Sequence, residues 1–315
     1  MSAHRSEGHH LDYELVRSFW EEAAHDAESA SYMAHEQGLP RDCIEHRFAL
    51  ERVVIDRWFA GLGPTASVLD VGCGAGAWTE LFAQRYGRIV GVDASAGMLA
   101  AARRRLDGQR NVELVQGDAL TVPLDGEFQG VLLGGLLMYL DRADAVALLV
   151  RLGQLAPNGR IILRESGIRS GVEVQTGSYQ VVYRSVQEYE AVAAEAGLRV
   201  VAVERNRGYV HMEIAVALVN LARRLPPIAR RDAAAVGGPL WRLLRATAPV
   251  ALELVPRAIG AVGLGWPHLT NHFLLLERGT VPDGQRHRPP DAAVTPSTYI
   301  GRGHAGAAQV RRASQ

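Results

Sequence analysis

A glycine-rich loop is the clearest chemical feature of this sequence. Gly72, Gly74 and Gly76 stand in Val-Leu-Asp-Val-Gly-Cys-Gly-Ala-Gly-Ala-Trp, between an apolar run and a helical pattern. Glycine lets the backbone approach a ligand where a Cβ atom would collide with it. The loop therefore predicts a nucleotide-type binding site. By itself it leaves a dinucleotide open, because Gly72, Gly74 and Ala77 also fit the G-x-G-x-x-G/A fingerprint.

Three carboxylates at the predicted carboxyl ends of strands narrow the choice, since open parallel sheets bind ligands at that edge. Asp70 precedes the first glycine, where a dinucleotide fold usually has an apolar residue, and it suits a cationic amino group. Asp93, 21 residues after Gly72, can accept hydrogen bonds from both ribose hydroxyls. Asp118 can accept one from the exocyclic amine of adenine. The trio favours an adenosyl ligand that carries a cationic group.

Because of these residues, the segment 68–165 resembles the class I S-adenosylmethionine-dependent methyltransferases. The resemblance rests on the D-x-G-x-G-x-G loop, on the acids after the second and third strands, and on Leu-Ala-Pro-Asn-Gly-Arg-Ile at 155–161. It implies S-adenosylmethionine as the cofactor and methyl transfer as the reaction. It also implies a set of cofactor-binding residues: Asp70, Gly72, Cys73, Gly74, Gly76, Asp93, Ala94, Met98, Asp118, Ala119 and Arg47.

Within this set, the resemblance implies distinct tasks. The loop glycines approach the methionine part, Met98 flanks the adenine, and Asp118 with Ala119 reads the edge of that ring. Arg47, or Arg52 on the same predicted helix, holds the methionine carboxylate. A solvated or structurally paired side chain is an equally good interpretation of either arginine.

The chemistry itself needs few catalytic groups. A sulfonium methyl is a strong electrophile with a neutral leaving group, so the protein mainly holds a nucleophile in line. A base becomes useful when the acceptor must lose a proton. We expect Glu165 and Tyr139 to face the pocket mouth, and His46 and His211 are further candidate bases. The alternatives are an ion pair of Glu165 with Arg164 and a core position for Tyr139.

Two family motifs are missing after the predicted fourth strand. The segment 134–139 reads Gly-Gly-Leu-Leu-Met-Tyr, whereas relatives that methylate adenine N6 or glutamine carry Asn/Asp-Pro-Pro-Tyr/Phe there. Metal-dependent catechol methyltransferases place an aspartate nearby, and this chain has Gln129 and two glycines instead. The resemblance therefore implies no metal site. Tyr179 and Tyr183 either line the pocket or pack against the sheet.

The elements that must position these groups alternate between strand and helix. Short apolar runs separated by helical patterns predict a parallel sheet covered by helices on both faces. Ser185 and Glu188 form a capping box at the start of one helix. The predicted strands are 67–71, 88–93, 112–116, 128–133, 160–165 and 199–204, and the helices between them are 77–86, 96–106, 142–155 and 186–196.

The predicted fold class is therefore α/β. The resemblance implies a Rossmann-like, doubly wound sheet of seven strands in the order 3-2-1-4-5-7-6, with 272–278 as an antiparallel seventh strand. N-terminal helices are predicted over 11–34 and 41–62. The insert between strands six and seven is either a substrate lid or a packing or dimer element. The expected regions are a helical cap (1–66), the cofactor-binding core (67–205), the helical insert (206–268), the last core strand (269–279) and a disordered tail (280–315).

Composition limits the function classes. The 315 residues contain no lysine among 34 basic side chains, which excludes Schiff-base lysine chemistry and a Gly-Lys-Ser/Thr phosphate loop. Two cysteines in unrelated contexts predict neither a disulfide framework nor a zinc site. The polar N-terminus does not resemble a secretion signal, and the apolar stretch 246–266 is broken by prolines and charges. We therefore expect a cytoplasmic protein.

The leading hypothesis is a methyltransferase that acts on O, N or C of a small molecule in specialised metabolism. The neutral net charge argues against nucleic acid. Residues 207–315 carry 14 arginines against 6 acids, a net charge of +8, so a lipid-linked or glycan acceptor at a membrane surface stays a weaker alternative. A non-catalytic S-adenosylmethionine-binding protein is a third hypothesis, and a homodimer is left open. Asp70 and Asp118 argue against the hypothesis of a dinucleotide-dependent oxidoreductase.

Overall fold

The computed structural model describes residues 11–24, 39–177, 179–224, 233–255, 258–259 and 268–279. The expected disordered tail at 280–315 and parts of the first helix and of the insert lie outside the described residues. The strands are β1 (Ser67–Val71), β2 (Arg88–Asp93), β3 (Val112–Gln116), β4 (Gly130–Leu133), β5 (Arg160–Gly167), β6 (Val172–Gln175), β7 (Val181–Arg184), β8 (Leu198–Arg205) and β9 (Thr270–Arg278). The α-helices are α1 (Tyr13–Ala23), α2 (Arg41–Trp58), α3 (Ala77–Ala83), α4 (Ala96–Arg105), α5 (Arg142–Leu155), α6 (Val186–Glu195), α7 (Arg207–Ala222) and α8 (Ala233–Ala246).

The strands other than β6 and β7 form a seven-stranded sheet in the order β3-β2-β1-β4-β5-β9-β8. Neighbours from β3 to β5 are parallel, while β9 runs antiparallel to β5 and β8. Since β6 and β7 pair only with each other, β8 and β9 are the sixth and seventh strands of this sheet. The predicted order 3-2-1-4-5-7-6, with an antiparallel last strand, is confirmed. The strand order reverses between β1 and β4, which is where such sheets form a ligand crevice.

The central strands are apolar along their length because helices cover both faces of the sheet. Val68 of β1 packs on one face with Phe59 and Phe82, and its neighbour Leu69 packs on the other face with Leu148 of α5. All are almost fully buried. Truncating such a side chain to alanine costs roughly 2–5 kcal/mol. This two-sided core fixes the sheet edge on which the site lies.

A hairpin formed by β6 and β7 is absent from the sequence prediction. β6 alternates between partly buried and exposed residues, so it carries little apolar signal. Arg184 of β7 donates hydrogen bonds to the carbonyls of Leu137 and Leu140, which hold the hairpin beside the segment that follows β4. The hairpin brings Tyr179 and Tyr183 to the sheet edge.

The insert begins with α7, which packs closely against α2. Val210 and Ile214 share an apolar cluster with Ile44 of α2 and with Trp241 of α8. A Cβ atom on Gly208 would lie 2.7 Å from the backbone oxygen of Arg47, so only glycine allows this approach. Among the described residues, no helix has the length and apolar character needed to cross a membrane.

Candidate active site

A cavity of about 270 Å³ opens beside the glycine loop, at the carboxyl ends of β1 to β4. We call it the loop cavity. Part of its wall comes from α1, through Tyr13, Val16, Arg17 and Trp20. The predicted cofactor residues that line it are Gly72, Gly74, Asp93, Ala94, Met98, Asp118 and Ala119.

Asp93 ties the glycine loop to the end of β2. Its Oδ2 accepts a hydrogen bond from the Gly74 N–H at 2.8 Å, and its Oδ1 accepts one from the Ser95 N–H at 2.9 Å. Burial raises the pKa of Asp93, and these backbone hydrogen bonds counteract part of the rise. A Cβ atom on Gly74, whose φ is +53°, would meet no atom within 4 Å. The cavity wall is therefore bare backbone at this point.

Asp118 and Met98 also line the loop cavity. Asp118 is exposed, and its Oδ1 accepts a hydrogen bond from the Leu120 N–H at 2.9 Å. Met98 is buried in the first turn of α4, and its N–H donates to the capping Ser95 hydroxyl at 3.0 Å. A polar group and an apolar thioether thus border the same space.

A second cavity of about 460 Å³ adjoins the first, and we call it the tyrosine cavity. The residues that line both cavities are Trp20, Gly72, Gly74, Met98, Gly134, Gly135 and Tyr139. Other residues that line the tyrosine cavity include Arg47, Asp70, Cys73, Arg164, Ser166, Tyr179, Tyr183, Tyr209, Glu213 and Asn271. The structure therefore distributes the predicted cofactor residues over two connected spaces.

Asp70 is a buried carboxyl in the wall of the tyrosine cavity. Its Oδ2 accepts a hydrogen bond from the Thr79 hydroxyl at 2.6 Å. Burial raises the pKa of Asp70 to about 6, and the Thr79 hydrogen bond opposes this rise. A cationic group placed in the cavity would stabilise the ionised form.

Gly76 lines neither cavity. It begins α3 with a φ of +79°, and a Cβ atom there would lie 3.1 Å from the Cβ of Ala102 in α4. Gly76 therefore allows the loop to pack closely on α4, and its place in the predicted cofactor set stays a prediction.

Arg47 is the arginine of α2 that reaches the site. It lines the tyrosine cavity, and its Nε lies 3.4 Å from Oε1 of the fully buried Glu51. Arg164, which belongs to no predicted site motif, lies 3.4 Å from the same Glu51 oxygen and donates a hydrogen bond to the Gly134 carbonyl at 3.0 Å. Burial alone would raise the pKa of Glu51, but the two guanidinium groups bring it below its usual value. Arg52 instead pairs with Asp56 and lines neither of the two cavities.

Glu213 is a carboxylate of the tyrosine cavity that no sequence motif marks. Burial raises its pKa, and a hydrogen bond from Tyr209 together with the charge of Arg47 counteracts part of the rise. Nearby, the Ser166 hydroxyl accepts a hydrogen bond from the Asn271 amide at 3.1 Å. Residues of β5, β9 and α7 thus meet in this part of the cavity.

Glu165 does not face the pocket mouth, and that prediction is corrected. Side chains alternate across a strand, so Arg164 and Ser166 line the tyrosine cavity while Glu165 points to the opposite face. It is 1% exposed, and its Oε1 accepts hydrogen bonds from the N–H groups of Leu136 and Leu137 at 3.1 and 3.2 Å. Burial raises the pKa of Glu165 to about 7. Its contacts make it a positioning residue for the segment after β4.

His46 also lies away from both cavities. Its Nε2 lies 3.2 Å from Nδ1 of His211, whose Nε2 lies 3.0 Å from Glu253. Burial, assisted by His211, lowers the pKa of His46. The two histidines pack between α2 and α7 and line neither cavity. The prediction that they are candidate bases is therefore corrected. Tyr139, by contrast, lines both cavities and lies 2.7 Å from the Tyr179 hydroxyl.

Residues 68–159 match the model of a family described as a methyltransferase domain. The match spans the glycine loop, Asp93, Asp118 and β4, the same elements that form the loop cavity. This segment is a class I S-adenosylmethionine-dependent methyltransferase domain. The methyltransferase domain therefore supplies the sheet edge that borders the two cavities. Helices α1 and α7 and the β6–β7 hairpin supply the other walls.

Curated relatives resemble mainly this domain. A 2-phytyl-1,4-naphtoquinone methyltransferase of Thermosynechococcus vestitus is 44% identical over 100 residues, which cover 30% of this chain and 44% of that protein. A ribosomal RNA small subunit methyltransferase A of Moorella thermoacetica is 25% identical over 246 residues, 73% of this chain and 83% of that protein. The chain thus spans less than half of the naphtoquinone relative.

Solved structures share the fold. An O-methyltransferase of a Brevibacillus brevis polyketide synthase, in complex with S-adenosylhomocysteine, aligns with a TM-score of 0.52 at 14% identity over 75% of each chain. A Leishmania major S-adenosylmethionine-dependent methyltransferase aligns with a TM-score of 0.50 at 22% identity, covering 60% of this chain and 76% of that one. At these identities the likeness concerns the fold.

The residues present fit S-adenosylmethionine. The bare backbone at Gly74 leaves room for a ligand, Asp93 and Asp118 offer acceptors beside the apolar side chain of Met98, and the buried Asp70 suits an ammonium group. S-adenosylmethionine is the cofactor of this domain family. Within the described part of the chain, no group of three or more His, Cys, Asp or Glu side chains is arranged to hold a metal ion.

Proposed function

We propose that this chain transfers the methyl group of S-adenosylmethionine to a small-molecule acceptor bound in the tyrosine cavity. The observation that supports this most directly is the common wall of the two cavities, formed by Met98, Gly134, Gly135 and Tyr139 among others. The adenosine part of the cofactor would lie in the loop cavity, its methionine part would extend past this wall to Asp70 and Arg47, and the acceptor would occupy the rest of the tyrosine cavity. Holding two reactants in line is the main requirement of this reaction.

The cofactor-binding residues have tasks that match their positions. Asp93 accepts from the ribose hydroxyls, Asp118 reads the adenine, and Met98 flanks the ring. Asp70 holds the amino group and Arg47 the carboxylate of the methionine part. When bound, S-adenosylmethionine supplies an electrophilic methyl group and a neutral leaving group.

Glu213 is the proposed proton acceptor, in place of Glu165 and His46. It lines the tyrosine cavity together with Tyr209 and Arg47. Its raised pKa brings a carboxylate closer to the acidity that favours proton transfer near neutral pH. An acceptor that loses a hydrogen on methylation would pass its proton to this group.

The acceptor is proposed to be a small metabolite. A cavity of about 460 Å³ is of the size that holds drug-sized ligands, and relatives named for a phytyl-naphtoquinone and for demethylmenaquinone support a ring-bearing acceptor. The ribosomal RNA relative raises nucleic acid as a competing acceptor. The Gly-Gly-Leu-Leu segment after β4, in place of an Asn/Asp-Pro-Pro-Tyr/Phe motif, speaks against adenine N6.

Calorimetry with S-adenosylmethionine and S-adenosylhomocysteine tests the cofactor assignment, and a screen of labelled methyl transfer to phenols, amines and quinols tests the reaction. We expect Glu213→Gln to lose most turnover while its affinity for S-adenosylhomocysteine stays unchanged. Glu190→Gln, a change of an exposed glutamate on α6, is the matched control. Absence of binding heat from either ligand would refute the cofactor assignment. Binding without transfer to any acceptor class would favour a non-catalytic protein.

Methylation of an acceptor at a membrane surface is a second candidate function, because the insert exposes several large apolar side chains. Leu243 lies near the end of α8, Val250 and Leu254 lie in the π-helical segment Pro249–Leu254 that follows it, and all three are more than half exposed. Exposed Arg242 and Arg245 lie beside them. Exposed apolar and arginine side chains on neighbouring helical segments suit an anionic lipid surface.

Flotation of the full chain with phosphatidylglycerol vesicles tests this candidate. The triple variant Leu243→Ser, Val250→Ser and Leu254→Ser should lose vesicle binding. Val53→Ser, a change at an equally exposed valine on α2, should retain it. Failure of the unmodified chain to float with the vesicles would exclude the membrane-surface acceptor.

A further inference from the structure

Aromatic rings form a large part of the wall of the tyrosine cavity. Trp20 lies edge to face with Tyr139, with ring centroids 5.6 Å apart and planes at 86°, and Tyr139 lies edge to face with Tyr179 at 6.0 Å and 79°. We call these three residues, all of which line the cavity, the aromatic wall. Rings at nearly right angles enclose a corner, where a ligand can meet more than one ring. Because aromatic faces carry negative charge density, such a corner attracts cations.

Glu213 adds a full negative charge beside the aromatic wall. It lies on α7 one helical turn after Tyr209, which places the two side chains on one helix face, and both line the cavity. Burial raises the pKa of Tyr179 and of Tyr183, and the nearby charge of Glu213 adds to the rise. A carboxylate that is withdrawn from water favours a cationic partner.

The arginines of the cavity have other partners. Arg47 and Arg164 each lie 3.4 Å from Oε1 of Glu51, a buried carboxylate that does not line the cavity. Arg105 lies 3.8 Å from Glu80. In the part of the chain that the structure describes, no basic side chain forms an ion pair with Glu213. The charge of this carboxylate is thus left for a ligand.

We propose that the acceptor is a primary or secondary amine, which enters as its ammonium form with its N–H groups on Glu213 and its adjoining carbon atoms against the aromatic wall. The ammonium group of the cofactor is assigned to Asp70, so Glu213 is the carboxylate that remains for the acceptor. This inference rests on the proposed function, because it assigns the acceptor class of the same reaction.

The proton and the positive charge both have a place to go. The acceptor passes one N–H proton to the Glu213 carboxylate, which leaves an electron pair on its nitrogen. That pair attacks the sulfonium methyl carbon, so a C–N bond forms while the C–S bond breaks with its electrons on sulfur. The products are a methylated ammonium ion and S-adenosylhomocysteine, and Glu213 returns its proton to solvent. The positive charge moves from sulfur to nitrogen, where the aromatic wall stabilises it.

Three probes that share one tert-butyl group test the charge preference: tert-butylammonium, tert-butanol and pivalate. Calorimetry measures their binding to the full chain with S-adenosylhomocysteine added, so that the cofactor's amino group occupies Asp70. We expect tert-butylammonium to bind about tenfold more tightly than tert-butanol, because a charge-assisted hydrogen bond is stronger than a neutral one. Pivalate should bind most weakly of the three.

Variants of the two recognition elements separate the carboxylate from the rings. Glu213→Gln should bind tert-butylammonium no better than tert-butanol, while its affinities for tert-butanol and S-adenosylhomocysteine stay unchanged. The exposed Glu190→Gln should keep the full preference for the cation. Tyr179→Leu should weaken tert-butylammonium binding, whereas Tyr179→Phe, which keeps the ring, should bind it as the unmodified chain does.

Absence of tert-butylammonium binding, equal affinity for tert-butylammonium and tert-butanol, or an undiminished cation preference in Glu213→Gln would overturn the inference. Tighter binding of pivalate would also overturn it, and would indicate an anionic acceptor held by Arg164. If S-adenosylhomocysteine fails to bind but the cation preference persists and depends on Glu213, the amine site stands and the methyl-donor assignment falls. If S-adenosylhomocysteine binds and the preference is absent, the amine acceptor falls alone.

Discussion

The carboxylate of Glu21 accepts a hydrogen bond from the Ser95 hydroxyl at 2.6 Å and another from the Gly97 N–H at 3.0 Å. Ser95 caps α4 and its backbone N–H donates to Asp93. A residue of the first helix is thereby joined to the strand end that is assigned to the ribose. Trp20, the neighbour of Glu21, lies against Tyr139 with ring centroids 5.6 Å apart. Helix α1 is thus attached at two points over the loop cavity.

Removal of this attachment should weaken cofactor binding. We expect Glu21→Ala to raise the Kd for S-adenosylhomocysteine about tenfold, because a lost charge-assisted hydrogen bond costs roughly 1.5–3 kcal/mol. Calorimetry measures the change. Glu22→Ala, at the adjacent exposed position, serves as the control, and equal affinities in the two variants would contradict the attachment.

Asp93→Ala should weaken cofactor binding by roughly 1–3 kcal/mol, since it removes the acceptor for the ribose and frees the Gly74 N–H. Asp93→Asn keeps one acceptor oxygen, so it should lose less. The readout is the dissociation constant of S-adenosylhomocysteine, with the exposed Asp107→Ala as control. An unchanged constant in Asp93→Ala would remove this residue from the site.

Cofactor affinity should depend on the ionisation of Asp70. Its pKa is raised to about 6, so below that pH the carboxyl is protonated and loses its attraction for the amino group. Affinity for S-adenosylhomocysteine should fall up to tenfold per pH unit below about pH 6. Asp70→Asn should bind more weakly at neutral pH and lack this component. The same slope in both proteins would show that another group is responsible.

Glu165 should make the fold less stable at higher pH. Burial raises its pKa from 4.5 to about 7, so the folded state binds the proton more tightly than the unfolded state does. Its contribution is fully present below pH 4.5, is lost as pH rises through about 7, and amounts to roughly 3 kcal/mol. Urea unfolding of Glu165→Gln should therefore show a flatter dependence on pH than that of the unmodified chain. Parallel pH profiles would contradict the burial argument.

The convergence of the proposed cofactor residues on one cavity was predictable from the sequence, because several of them lie within one or two positions of strand ends. Asp93 ends the apolar strand β2 and Asp118 lies two residues after β3, and the parallel sheet places such ends at one edge. Gly76 shows the limit of the motif. Its positive φ serves the packing of α3 on α4, which the glycine spacing alone does not distinguish from ligand contact.

The tyrosine cavity, where the acceptor is proposed to bind, is formed by contacts between segments that are distant in sequence. Glu165 and Arg164 are neighbours in sequence, yet the alternation of β5 sends only Arg164 into the tyrosine cavity. Glu213 reaches the cavity because α7 packs on α2, and Tyr179 because a weakly apolar hairpin folds beside β4.

The sequence by itself determined the sheet order, the glycine loop and the acids that border it, because local patterns of apolar residues, glycines and strand-end acids encode them. Only the tertiary structure decided which polar side chains share the second cavity. That choice depends on helix and hairpin packing between residues far apart in the chain, and no local pattern records which face of an element will meet which neighbour.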